Sequence, residues 1–201
     1  MATEYRDTPI LTGKNVAVYP TPKPFWAPED KVSKRKEGES LKTATTGNVR
    51  FNVAVLKAGL RFNEALGLMG GEDNEFFTAA HLAGFEIKRT LRAVTWETAH
   101  PARLTYRARM YRAYWCAASE TRRLALVRGF HRTALKKAHT IPLNIVFGGF
   151  WLIVAALAWP VSRAAFKNRA LYGGNRLAKA AGRFAALIGR LPQPYRVIDG
   201  D

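Results

Sequence analysis

The chain has 201 residues, a formal net charge of +17 and one cysteine. A single cysteine excludes an internal disulfide framework and a cysteine-based zinc site. The charge is uneven: residues 98–198 hold 18 Lys and Arg against one acid, Glu120, whereas residues 1–97 hold 14 against 12. The basic character therefore belongs to the second half.

Residues 1–48 read as an extended arm. Pro9, Pro20, Pro22, Pro24 and Pro28 interrupt any helix, and TPKPFWAP over 21–28 favours polyproline-like geometry. The charged stretch KVSKRKEGES over 31–40 has too little apolar content to order itself. Tyr19, Phe25 and Trp26 are spaced aromatic anchors, the candidates for docking along a partner protein. Plain disorder is the competing reading.

Residues 49–137 read as a helical extramembrane region. Phe51, Val55, Leu56, Phe62 and Leu66 recur at roughly helical spacing over 49–68. Gly70 and Gly71 end that segment. GEDNEFF follows as a helix start, with Asp73 or Asn74 as cap and Glu75 in the first turn. The acidic cluster lacks the spacing of an EF-hand loop. The helix is predicted to run to about Ala99, and Pro101 marks a boundary or a first helical position. A second helix is predicted from Ala102 to Ala138, with Gly129 as its weak point. Its early turns interleave Arg103, Arg107, Arg109 and Arg112 with Tyr106, Met110, Tyr111, Tyr114 and Trp115. That mixture suits RNA phosphates and bases, but no RRM, KH or zinc-finger pattern accompanies it. Cys116 is expected as a small buried side chain.

Residues 138–162 contain no Asp, Glu, Lys or Arg. A bilayer needs about 20 apolar residues as a helix, so this window is predicted to be a transmembrane helix. Its strong inserting residues, Leu143 to Val161, contribute roughly −0.3 to −0.6 kcal/mol each near the centre. Pro142 predicts a kink at the membrane entrance. Gly148, Gly149, Ala155, Ala156 and Ala158 suit close helix packing. With no charged residue inside, the span offers no ion pathway of its own. Arg132, Lys136 and Lys137 precede it, and Arg163, Lys167 and Arg169 follow it. These six are the expected contacts for anionic headgroups such as cardiolipin, at about 1 kcal/mol each near the surface. Basic residues on both flanks leave the orientation open.

Residues 163–201 read as a basic interfacial amphipathic helix with a short acidic tail, VIDGD. Leu177, Ala181, Phe184 and Ile188 form its apolar stripe, with Arg176, Lys179, Arg183 and Arg190 beside it. The predicted fold is mostly α, with one transmembrane helix, flanking basic amphipathic helices, the Pro-rich arm and no compact independent globular domain.

The chain holds no P-loop, G-x-G-x-x-G, H-E-x-x-H or G-x-S-x-G motif. His81, His100, His131 and His139 show no metal-ligand spacing; His131 and His139, about two turns apart, are the pair weighed for haem or metal. No enzyme activity, cofactor or metal is expected. In overall organisation, rather than in any motif, the chain resembles the supernumerary subunits of mitochondrial inner-membrane energy-transducing complexes. The resemblance implies an accessory subunit that braces neighbours and binds anionic lipid, in a respiratory-chain complex first and ATP synthase next. The N-terminus MATEYRDTPIL is not Arg-rich, so import would rest on internal signals. A membrane-tethered RNA- or ribosome-binding protein is the alternative. A bacterial or organellar enzyme subunit whose chemistry lies in a partner is the third reading.

Overall fold

The computed structural model describes residues 5, 7–26 and 36–195. Pro28, residues 31–35 of the charged stretch and the VIDGD tail lie outside the described residues. The chain divides into two compact units, Met1–Ala65 with Glu72–Ala99 and Leu66–Gly71 with His100–Asp201.

The first unit is mixed α/β. Strands β1 (Ile10–Val18), β2 (Ser40–Leu41), β3 (Val49–Phe51) and β4 (Ile87–Thr98) form a sheet in the order β2-β4-β1-β3. β1 runs parallel to β4 and antiparallel to β3, and β2 is antiparallel to β4. Ile10 stands opposite both Phe51 and Ile87. Helices α1 (Val53–Lys57) and α2 (Glu72–Leu82) supply the rest of the core. Ile10, Val55, Phe76, Phe77, Ala80 and Ile87 are fully buried there. Phe76 and Phe77 meet edge-on at 5.1 Å, and Phe62 stacks on Phe76 at 4.1 Å. Apolar area removed from water at this core stabilises at roughly 25 cal/mol per Å².

This unit corrects the mostly α expectation and the absence of a compact domain. The presumed arm provides a central strand, because Ile10 and Thr12 bury against β3 and β4 instead of needing a partner protein. The helix expected to reach Ala99 stops at Leu82. Gly84 adopts φ 92°, a region open to glycine, and the β-branched and aromatic run that follows (Ile87, Thr90, Val94, Thr95, Trp96, Thr98) pairs as β4. Asp73 and Asn74 fall inside the first turn of α2. Asp73 Oδ2 accepts the Thr46 backbone N–H at 3.3 Å.

The second unit is helical: α3 (Tyr106–Arg128), α4 (Phe130–Ala158) and α5 (Arg163–Leu187). Pro101 opens a short 3-10 turn, and Thr105 caps α3 by accepting the Ala108 N–H. The long helix expected over 102–138 breaks at Gly129, whose φ is 86°. α4 continues into the charge-free window with Pro142 inside it. Ser162 caps α5 by accepting the Ala165 N–H. Cys116 lies exposed on α3, against the expectation that it is buried.

Candidate membrane-contact hairpin

α4 and α5 form a hairpin joined by Trp159–Ser162. Trp159 meets Phe166 edge-on at 4.5 Å, Trp151 meets Tyr172 at 5.3 Å, and Arg176 lies 5.4 Å from the Phe147 ring. Position falls along α4 as it rises along α5, so the helices are antiparallel. Glycine lets the backbones close in. A β-carbon on Gly173 would stand 2.8 Å from the Gly148 carbonyl oxygen, and one on Gly148 would stand 2.8 Å from the Leu177 side chain.

A neighbouring face of α5 packs on α3. Tyr106 donates to the Ala170 carbonyl at 3.2 Å, and Gly182 faces the Tyr114 carbonyl with no room for a side chain. Gly174, against Tyr106 and Met110, and Gly182 therefore mark a close contact two turns apart, with Ala178 between them in the sequence. This small-residue spacing is present in the sequence, although no expectation was drawn from it.

α4 is long and apolar enough to cross a membrane, and only 11% of its apolar window is buried. Leu143, Ile145, Val146, Phe150, Ile153 and Leu157 are exposed. The buried positions, Thr133, Lys137, Gly148 and Ala155, are mostly small or paired. Asn144 turns back on its own helix, donating from Nδ2 to the Thr140 carbonyl at 2.6 Å.

The predicted lipid residues separate into different environments. Arg132, Lys136, Arg163 and Lys167 are exposed, and Arg169 is half-buried. Arg163 stacks 3.8 Å over Trp159 at the hairpin tip, a cation and an indole placed where an interface would meet the window's end. Lys137 is 5% exposed and pairs with Glu120 of α3 at 3.3 Å. Its charge is used inside the chain. The predicted partner anchors belong to the sheet unit. Tyr19 and Trp26 pack edge-on at 6.1 Å, and Phe25 is exposed. His131 and His139 are both exposed on α4. Among the described residues no three His, Cys, Asp or Glu side chains group together.

α5 lies along α4, which sets Arg169, Arg176 and Lys179 beside the charge-free window. Arg176 is held there by a 2.6 Å hydrogen bond to the Tyr172 hydroxyl. Searches of family models, curated proteins and solved structures return no match to this chain.

Proposed function

We propose that this chain is a non-catalytic structural subunit of a membrane complex, anchored by α4 and completed by its neighbours. The supporting observation is the pairing of an uncovered apolar helix with a basic one. Nine strong inserting residues between Leu143 and Leu157 favour α4 in lipid by roughly 3–5 kcal/mol. Three cations of α5 at window depth cost about 2.5–3.5 kcal/mol each on the same scale. The second quantity is larger, so the intact hairpin is not stable surrounded by hydrocarbon. It is stable where lipid or apolar helices cover α4 and a polar or acidic neighbour covers α5.

The host that best suits this organisation is a mitochondrial inner-membrane energy-transducing complex, a respiratory-chain complex before ATP synthase. Anionic lipid such as cardiolipin would meet Arg132, Lys136, Arg163 and Lys167. Native-gel fractionation with mass spectrometry tests the reading. Co-migration with a redox complex or ATP synthase, together with resistance to alkaline carbonate extraction, is the expected result. Co-migration with ribosomal particles overturns it in favour of RNA binding through the arginines and tyrosines of α3. Release by carbonate removes the anchor.

A further inference from the structure

The sheet unit contains an open groove of about 480 Å³ that the membrane reading does not use. It is lined by Lys14 on β1, Arg89 on β4, and Lys42 with Thr43 and Thr45 on the segment after β2. Among the described residues, no carboxylate lines the groove and none pairs with Lys14, Lys42 or Arg89. The sheet itself draws two of these cations together. Thr12 stands opposite Arg89 and Lys14 opposite Val94, so the four β4 residues 90–93 face one β1 residue, Gly13. Asn48 locks the irregularity by donating from Nδ2 to the Lys14 and Ala93 carbonyls, each at 3.1 Å. A side chain at Gly13 would collide with that amide.

Arg89 carries the argument further. Its Nε is shielded from solvent and has no hydrogen-bond acceptor among the described residues. An unpaired buried donor is costly, and more so on a charged group. Three like charges around one concavity also repel. The repulsion is relieved by a single anion in the groove, and a guanidinium flanked by two ammonium groups suits the several oxygens of a phosphate. The volume lies in the range of small-ligand sites.

We infer that this groove binds a phosphate-bearing ligand, held by Arg89, Lys14 and Lys42. The phosphate belongs either to a small soluble ester or to a lipid headgroup. The test is calorimetric titration of the full chain in nonionic detergent and phosphate-free buffer, with pyrophosphate and with phosphatidic acid in mixed micelles as probes. Saturable binding of either probe is expected, weakened at least tenfold in Arg89→Gln and in Lys42→Gln. Arg190→Gln, a cation exposed on the helical unit, should bind as the native chain does. Pyrophosphate binding identifies a soluble phosphate-bearing ligand, and binding of phosphatidic acid alone identifies a headgroup. Circular dichroism checks that each variant is folded, and Arg89→Lys, which keeps the charge, should recover part of the affinity. No saturable binding of either probe overturns the inference, as does equal binding by folded Arg89→Gln and Lys42→Gln.

Discussion

Burying an ammonium is tolerable only where a carboxylate meets it, and Lys137 meets Glu120 at 3.3 Å. The Glu120 side chain is 47% exposed, so solvent screens the pair and the cost of breaking it is below that of a fully buried bridge. Glu120→Ala should destabilise the helical unit by about 1–2 kcal/mol, because the buried cation loses its partner. Lys137→Met should cost less, since it removes the charge and keeps the packed stem. Thermal unfolding in detergent distinguishes the two. Glu37 makes a prediction about pH. Its Oε2 accepts the Leu91 backbone N–H at 2.6 Å and its Oε1 accepts the Tyr5 hydroxyl at 2.8 Å. The Leu91 bond above all holds the Glu37 carboxyl below the usual glutamate range. A carboxyl lowered on folding stabilises fully above its unfolded pKa and loses that contribution as pH falls through the folded value. The melting temperature should therefore hold level above about pH 5 and decline below it, starting from the ordinary glutamate value. Glu37→Gln should flatten that decline. An unchanged slope would show that the two hydrogen bonds do not set the titration.

Among the helices, the hairpin is where small residues matter most. Gly173→Ala places a β-carbon 2.8 Å from the Gly148 carbonyl oxygen, against backbone that cannot rotate away. Overpacking of this kind costs about 1–3 kcal/mol. Gly149→Ala meets nothing within 4 Å and gains helix propensity, so it should be neutral or stabilising by up to about 1 kcal/mol. The unfolding temperature should fall for Gly173→Ala and hold or rise for Gly149→Ala, and equal shifts would mean that α4 and α5 do not approach as described. The same elements show what was legible beforehand. The long apolar helix was visible because a charge-free run is a one-dimensional signal, and the boundary at Pro101 and the weakness at Gly129 were legible from local chemistry. The sheet was not, because its pairings join residue 10 to residues 51 and 87, and no local period reports them. Gly84 ahead of a β-branched run was the available sign that α2 ends early. The burial of Lys137 was illegible for a similar reason: its partner Glu120 belongs to another helix, seventeen residues earlier.

For the molecule as a whole, the uneven charge and the hairpin impose a choice on any membrane-bound state. α4 gains by entering lipid, whereas Arg169, Arg176 and Lys179 lose more by following it. In pure lipid, α5 should part from α4 and seek the surface, where its cations meet headgroups and Phe184 and Ile188 are free to dip inward. Under the proposed function, a partner that covers α5 in the membrane removes the reason to part. Paired cysteines at Trp151 and Tyr172, whose rings lie 5.3 Å apart, distinguish the two states once Cys116 is replaced by serine. A short thiol cross-linker should join Trp151→Cys to Tyr172→Cys efficiently in native membranes and poorly in vesicles of purified phospholipid. Equal cross-linking in both would mean that the hairpin enters lipid without help, and that its neighbours are not what complete it. Failure in native membranes would mean that α4 crosses alone in the assembled complex, with α5 released for other contacts.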